Sequence, residues 1–256
     1  MSPLFDLRGK TAVLLGGNST LGRAIAEGLI AHGARTAIVG RNADTTQQTV
    51  KRLAELGGDA QPFLGDVTLE SDLKRVHREI MEHYGRVDIL LYCPGVNSTT
   101  PFFDIAMEEW EHIMNVNVKG AVRSCQLFGQ SMTESGFGGS IILISSVSSD
   151  PPLSKVFSYS MSKAAINNMT QYLAREFAPH GVRVNAIIPG FFPAEQNRAI
   201  LAPERVQSIM KHTPMGRFGD PDELQGAVVW LASERASSFV TGSLVRVDGG
   251  FGAMTI

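Results

Sequence analysis

The sequence predicts an α/β protein with one seven-stranded parallel sheet, doubly wound, helices on both faces and a small helical lid. Three observations predict it. Apolar strand-like runs alternate with longer helix-period segments along the chain. Several of those runs are continuous in Val, Ile and Leu, as strands covered on both faces must be. A glycine-rich turn joins the first strand to the first helix. Such alternation implies right-handed βαβ units and hence a parallel sheet. At 256 residues the chain suits a single domain, taken as 1–256 with the lid at about 189–218.

The predicted strands are Thr11–Gly16, Arg35–Gly40, Ala60–Leu64, Val87–Cys93, Ser140–Ser145, Val182–Ile188 and Ser243–Val247. Between them the helical period runs over Leu21–His32, Thr45–Leu56, Glu70–Tyr84, Met107–Glu134, Tyr159–Pro179 and Pro221–Ser233. Gly33, Gly85 and Gly181 stand where helices should stop. Pro189–Phe218 breaks the rhythm with Pro-Gly-Phe-Phe-Pro, a polar cluster and Pro214-Met215-Gly216, the makeup of a helical lid on loops.

Composition narrows the function. Hydrophobic residues make up 43% and charged residues 19%, with a net charge of −2, so no general attraction to nucleic acid or anionic membrane is expected. Cys93 and Cys125 form no disulfide framework, and Met1–Lys10 has no apolar stretch for a signal peptide, so a cytoplasmic location is expected. His and Cys are scattered without ligand spacing, so no metal is expected.

The turn after the first strand reads Gly16-Gly17-Asn18-Ser19-Thr20-Leu21-Gly22. Gly16 permits the tight turn, Gly22 lets the helix approach the sheet, and the free N–H groups of the helix start suit a pyrophosphate. The second strand ends Gly40-Arg41-Asn42, without the acid that reads the ribose in an NAD site. Gly40 leaves room, and Arg41 supplies a cationic fork suited to a 2′-phosphate, which favours NADP(H) over NAD(H). The competing reading makes Arg41 a solvated loop charge.

Ser146 follows a buried-looking strand, and Tyr159 and Lys163 lie one helical turn apart. A cation on the same helix face should lower the phenol pKa, and a nearby serine can hold a carbonyl. Together they can give a proton to a ketone oxygen, or take one from an alcohol, near neutral pH.

These residues resemble the short-chain dehydrogenase/reductase family over essentially the whole chain. The glycine turn matches, with Thr20 for the usual middle glycine and Leu15 for the leading threonine. The resemblance implies that Asp66 and Val67 hold the adenine ring. Tyr92-Cys93-Pro94-Gly95 stands where the family reads Asn-Asn-Ala-Gly, and only Gly95 is kept. Asn115-Val116-Asn117-Val118 matches the helix motif whose asparagine, Asn117, kinks the helix and holds a relay water. Ser146, Tyr159 and Lys163 match the active-site set, Lys163 also bonding the nicotinamide ribose. Pro189 and Gly190 flank the nicotinamide, and Asp248-Gly249-Gly250 matches the family ending.

Pro189–Arg198 and His212–Gly219 are similar to the fructuronate reductases of this family, also called D-mannonate oxidoreductases. That points to a keto-sugar or keto-sugar acid, with Arg198 pairing a carboxylate and Gln196 and Asn197 bonding hydroxyls. These three read equally as exposed residues of a lid helix, and His212 reads as a packing or lid-closing residue. A 3-oxoacyl-(acyl-carrier-protein) reductase and a non-catalytic dinucleotide-binding regulator are the alternatives. Family likeness implies a homotetramer, or a homodimer, with Ala164, Ala165 and Met169 near one interface.

Overall fold

A computed structural model describes residues 3–192 and 202–253. Its sheet has seven parallel strands in the order β3-β2-β1-β4-β5-β6-β7. The strands are β1 Thr11–Leu15, β2 Arg35–Gly40, β3 Ala60–Leu64, β4 Ile89–Tyr92, β5 Gly139–Ile144, β6 Val182–Pro189 and β7 Leu244–Val247. The crossover helices are α1 Thr20–Ala31, α2 Ala43–Glu55, α3 Glu70–Tyr84, α4 Met107–Met114, α5 Gly120–Glu134 and α6 Phe157–Phe177. After β6 come α7 Pro203–His212, α8 Gln225–Ala232 and the short α9 Glu234–Ser237. No described helix is long and apolar enough to cross a membrane.

Alternation along each strand builds two cores, one on each face. Leu14 and Ile38 point to the layer that buries Ile25, Leu29, Val228 and Leu231. Val13, Leu15 and Val39 point to the layer that buries Ile80, Phe128 and Ile166. Pro62, unable to donate in a ladder, sits in β3 at the sheet edge, where a strand tolerates it.

Two expectations change. The helix expected over Met107–Glu134 is interrupted by a π turn at Asn115–Lys119, between α4 and α5. Pro221–Leu224 is a 3₁₀ turn with an Asp220 capping box, so the helix expected there starts only at Gln225.

Tyr92 braces the π turn. It is 1% exposed, and its hydroxyl donates to the Val116 carbonyl at 2.5 Å. A Cβ on Gly120 would stand 2.4 Å from that oxygen, so the glycine leaves room for the phenol. Tyr92 therefore ties β4 to the π turn where the family carries asparagine. Tyr92→Phe strands the buried carbonyl and should lower stability by about 1–3 kcal/mol. Urea unfolding with an unshifted midpoint would show that the bond contributes nothing.

Candidate active site

All six connections that leave the carboxyl ends of β1 to β6 emerge on one edge of the sheet, because the strands are parallel. The chain reverses its winding between β1 and β4, which lie side by side, and the crevice there is where such sheets bind ligands.

The turn after β1 is built for an anion. Gly16 has φ +71°, and a Cβ on Gly22 would lie 2.3 Å from the Gly16 carbonyl oxygen, so α1 starts hard against the turn. Ser19 caps α1, its hydroxyl accepting from Gly22 N at 3.1 Å and donating to the Gly16 carbonyl at 2.8 Å. The remaining amides of the first turn face the crevice mouth, with the positive end of the helix dipole behind them. Thr20 opens α1, whereas Leu21 packs against the core. The cradle therefore fits a pyrophosphate.

At the end of β2, Arg41 is 66% exposed and its Nη1 stands 3.7 Å from Asp66 Oδ2. Asp66 Oδ1 accepts from the amide and hydroxyl of Thr68. Asn42 caps α2, accepting from Thr45 N at 2.9 Å, so its amide oxygen is already in use. The Val67 side chain is buried in the core. The room expected beside Gly40 is filled by Asn18, whose Nδ2 donates to Thr45 Oγ1 at 2.9 Å and Thr46 Oγ1 at 3.1 Å.

Ser146, Tyr159 and Lys163 converge between β5 and α6. Ser146 lies near enough to the Tyr159 hydroxyl to lower its pKa, and its own hydroxyl accepts from the Ser148 amide at 3.2 Å. Lys163 is 3% exposed, donates to the Ile144 carbonyl at 2.7 Å, and holds its Nζ 5.5 Å from the Tyr159 ring centre. Burial pushes the Tyr159 phenol above its ordinary value, the Ser146 bond pulls it down, and the neighbouring Cys93 thiol pushes it up. The expected lowering by Lys163 is not what this arrangement gives: the ammonium is turned to Ile144, and burial lowers its own pKa to about 8.

Asn117 is fully buried in the π turn and makes three bonds. Its Oδ1 accepts from Val96 N at 2.8 Å, and its Nδ2 donates to Val96 O at 3.0 Å and Ser162 Oγ at 2.8 Å. Ser162 donates in turn to the Tyr159 carbonyl at 2.7 Å. A Cβ on Gly95 would lie 3.4 Å from Lys163 Nζ and 3.7 Å from Asn117 Oδ1, so Gly95 borders both. Pro189 ends β6, and a Cβ on Gly190 would stand 2.7 Å from Asp248 Cα, which makes Gly190 a packing glycine as well.

Several participants carried no sequence signal of their own. Ser145 donates to Asn167 Oδ1 at 2.6 Å, Asn167 donates to Ser149 Oγ at 2.8 Å, and Ser149 donates to the Ser146 carbonyl at 2.7 Å. Arg205 of α7 donates to Ser154 Oγ at 2.8 Å, linking the lid to the segment before Tyr159. His212 packs edge-on to Phe251 at 4.5 Å, in keeping with a packing role. Gln196, Asn197 and Arg198 lie outside the described residues.

A doubly wound sheet with a pyrophosphate cradle, and beside it a half-buried Tyr159 next to a buried Lys163, defines a dinucleotide-dependent oxidoreductase. The comparisons carry this further. The family model described as enoyl-(acyl carrier protein) reductase matches residues 16–252. UxuB of Bacillus subtilis (strain 168), an uncharacterized oxidoreductase, is 38% identical over a 273-residue alignment covering 98% of each chain. The 2-dehydro-3-deoxy-D-gluconate 5-dehydrogenase of Dickeya dadantii (strain 3937) is 33% identical, with 96% of this chain and 97% of that one covered. A gluconate 5-dehydrogenase from Burkholderia cenocepacia J2315, solved with NADP and tartrate, superposes with a TM-score of 0.93 at 31% identity over 98% of each chain. The chain belongs to the short-chain dehydrogenase/reductase family and is an NAD(P)-dependent oxidoreductase acting on CH–OH groups.

The Lys163 site carries a pH signature. Its pKa is held at about 8 against an ordinary 10.5. Between those values the unfolded chain keeps a proton that the folded chain has released, so this group's contribution to stability rises with pH. The contribution is complete above 10.5 and lost as pH falls through 8. Lys163→Met removes the buried charge, so its stability relative to wild type should decline by up to about 3 kcal/mol between pH 7 and 10.5. Urea unfolding of both proteins at several pH values reads this directly. A pH-independent difference would mean that Lys163 is not desolvated.

Proposed function

We propose that this chain is an NADP(H)-dependent reductase and dehydrogenase of a polyhydroxylated keto-sugar or keto-sugar acid. The observation that carries the chemistry is the convergence of Ser146, Tyr159 and Lys163 beside the crevice between β1 and β4. Bound NADPH supplies the hydride. The Ser146 hydroxyl holds the carbonyl oxygen, and Tyr159 gives that oxygen its proton as the carbon is reduced. Lys163 has three N–H donors, of which Ile144 takes one, leaving two for the nicotinamide ribose and the phenol. Their charge beside the phenol would offset the upward push of burial once the ribose is seated. The side chain of Asn117 is committed to Val96 and Ser162. Its share in the relay is therefore assigned to its main chain in the π turn.

For the coenzyme, the pyrophosphate is assigned to the turn from Gly16 to Gly22, the 2′-phosphate to Arg41, and the adenine to Asp66 and Val67. The nicotinamide falls between Gly95 and the Pro189-Gly190 turn. The exposure of Arg41 and the missing acid at Gly40 support NADP(H), as does the NADP bound in the Burkholderia enzyme.

For the substrate, the gluconate-series names of two relatives support a sugar-acid class. The likeness of Pro189–Arg198 and His212–Gly219 to fructuronate reductases puts keto-sugar acids first, with Arg198 as carboxylate clamp and Gln196 and Asn197 for hydroxyls. Thioesters of acyl carrier protein are the second reading, favoured by the description of the matched family model. Exposed Met161, Ala164 and Tyr172 along one face of α6 support self-association through that helix.

A screen of fructuronate, other keto-sugar acids, ketoses, sugar alcohols and acyl thioesters with each coenzyme tests the reading. The keto-sugar acids with NADPH should turn over best, and Tyr159→Phe should lower kcat at least ~10²-fold. A preference for thioesters would overturn the sugar assignment, and near-normal turnover by the variant would overturn the proton donor. Arg41→Ala should weaken NADPH binding by roughly 1.5–3 kcal/mol and leave NADH nearly untouched. Coenzyme titrations of both proteins decide it, and tighter NADH binding by wild type would make Arg41 a bystander.

A further inference from the structure

We infer that Asn18 locks the coenzyme preference by occupying the ground where an acidic side chain at the end of β2 would have to stand. This rests on the NADP(H) reading above. Gly40 is the last residue of β2, the place from which a carboxylate reaches the ribose 2′-hydroxyl in sites that prefer NAD. Its φ is not positive, so the glycine is not there for backbone conformation. It is there for space. A Cβ on Gly40 would lie 2.4 Å from Asn18 Nδ2, 2.5 Å from Asn18 Cγ and 2.6 Å from Thr46 Oγ1.

Asn18 cannot simply swing aside. Its Nδ2 spends both protons on Thr45 Oγ1 at 2.9 Å and Thr46 Oγ1 at 3.1 Å. Thr46 is fully buried and donates its own hydroxyl to the Asn42 carbonyl at 2.7 Å. The pyrophosphate turn is thus stitched to the first turn of α2, across the top of Gly40. An acid at position 40 would have to break this stitch before it could face a ribose. Positions 18 and 40 are therefore coupled, and Asn18 is a positioning residue that acts through its neighbour. With the acid excluded, Arg41 is left as the group that meets the 2′ position.

The test is a double-mutant cycle of Asn18→Ala and Gly40→Asp. It is run in a Thr46→Ser background, where the side chain, without the γ-methyl, can turn its hydroxyl away from position 40. NADPH and NADH are titrated by fluorescence, and thermal unfolding is followed without coenzyme. Gly40→Asp alone should lower the melting temperature, lose NADPH and gain no NADH. Adding Asn18→Ala should restore the melting temperature and tighten NADH binding by at least about tenfold over either single change, the scale of one recovered hydrogen bond to a charged group. Equal NADH affinity in Gly40→Asp with and without Asn18→Ala, or strictly additive effects, would overturn the lock. Should Gly40→Asp fail to fold, Gly40→Ala carries the same test, since Asn18→Ala must relieve its loss of melting temperature. Failure of the NADP(H) reading is visible separately, as tighter NADH binding by wild type, and leaves the coupling between 18 and 40 measurable.

Discussion

Everything in the active-site region hangs on one buried amide. Asn117 is fully enclosed, and an amide in that position without partners would cost several kcal/mol. It is satisfied only if Val96 offers both its N–H and its carbonyl, and if Ser162 accepts the remaining proton. Those three bonds fix the loop after β4, the π turn and the first turns of α6 relative to one another. Since Ser162 also grips the Tyr159 carbonyl, Tyr159 inherits its place from this amide. Such a network is stable when complete and poor when one member is missing, which favours a single geometry over several near-equal ones.

Lys163 poses the opposite problem. A buried cation with one carbonyl for company is costly, and its lowered pKa is the sign of that cost. Tyr159 is likewise held above its ordinary value by burial. Neither group on its own is tuned for proton transfer at neutral pH. In the proposed reaction, a polar ribose and a carbonyl oxygen arriving together would improve both environments, and binding energy would be spent in setting the acid. Gly95 keeps only its backbone beside Lys163 and Asn117.

How much of this was legible in the sequence depends on how local the physics is. The turn from Gly16 to Gly22 was readable because a tight turn and a close helix approach each demand glycine at a fixed spacing. The parallel sheet was readable from continuous apolar strands, and the Tyr159/Lys163 pair from a four-residue spacing on one helix. The π turn was legible only as a kink at a motif, since nothing in residue type distinguishes i→i+5 from i→i+4 bonding over Asn115–Lys119. Asn42, read beside Arg41 at the end of β2, serves as a helix cap, a use that residue type does not separate from ligand binding because both want a short polar side chain there. Tyr92 and Asn167 act across long sequence separations, where no periodicity reaches. The open ground at Gly40 was taken as room for a ligand. Its occupant, Asn18, stands twenty-two residues earlier and came to it only through the fold.

The same contrast separates chemistry from specificity. Ser146, Tyr159 and Lys163 sit at a strand end and on a long helix, gripped by buried hydrogen bonds that are expensive to break. The described segment after β6 is held in two ways: Phe192, Ile209 and Thr213 are buried, whereas Arg205 meets Ser154 at the surface and Arg217 pairs with Glu223 among exposed groups. Exposed ion pairs and surface hydrogen bonds contribute at most about 1 kcal/mol each. The contacts of Arg205 and Arg217 can therefore break at small cost, while those of Lys163 and Asn117 cannot. Buried bonds thus fix the strand end and the long helix, while surface contacts hold part of the segment after β6, and it is in such loops that one fold varies what it binds.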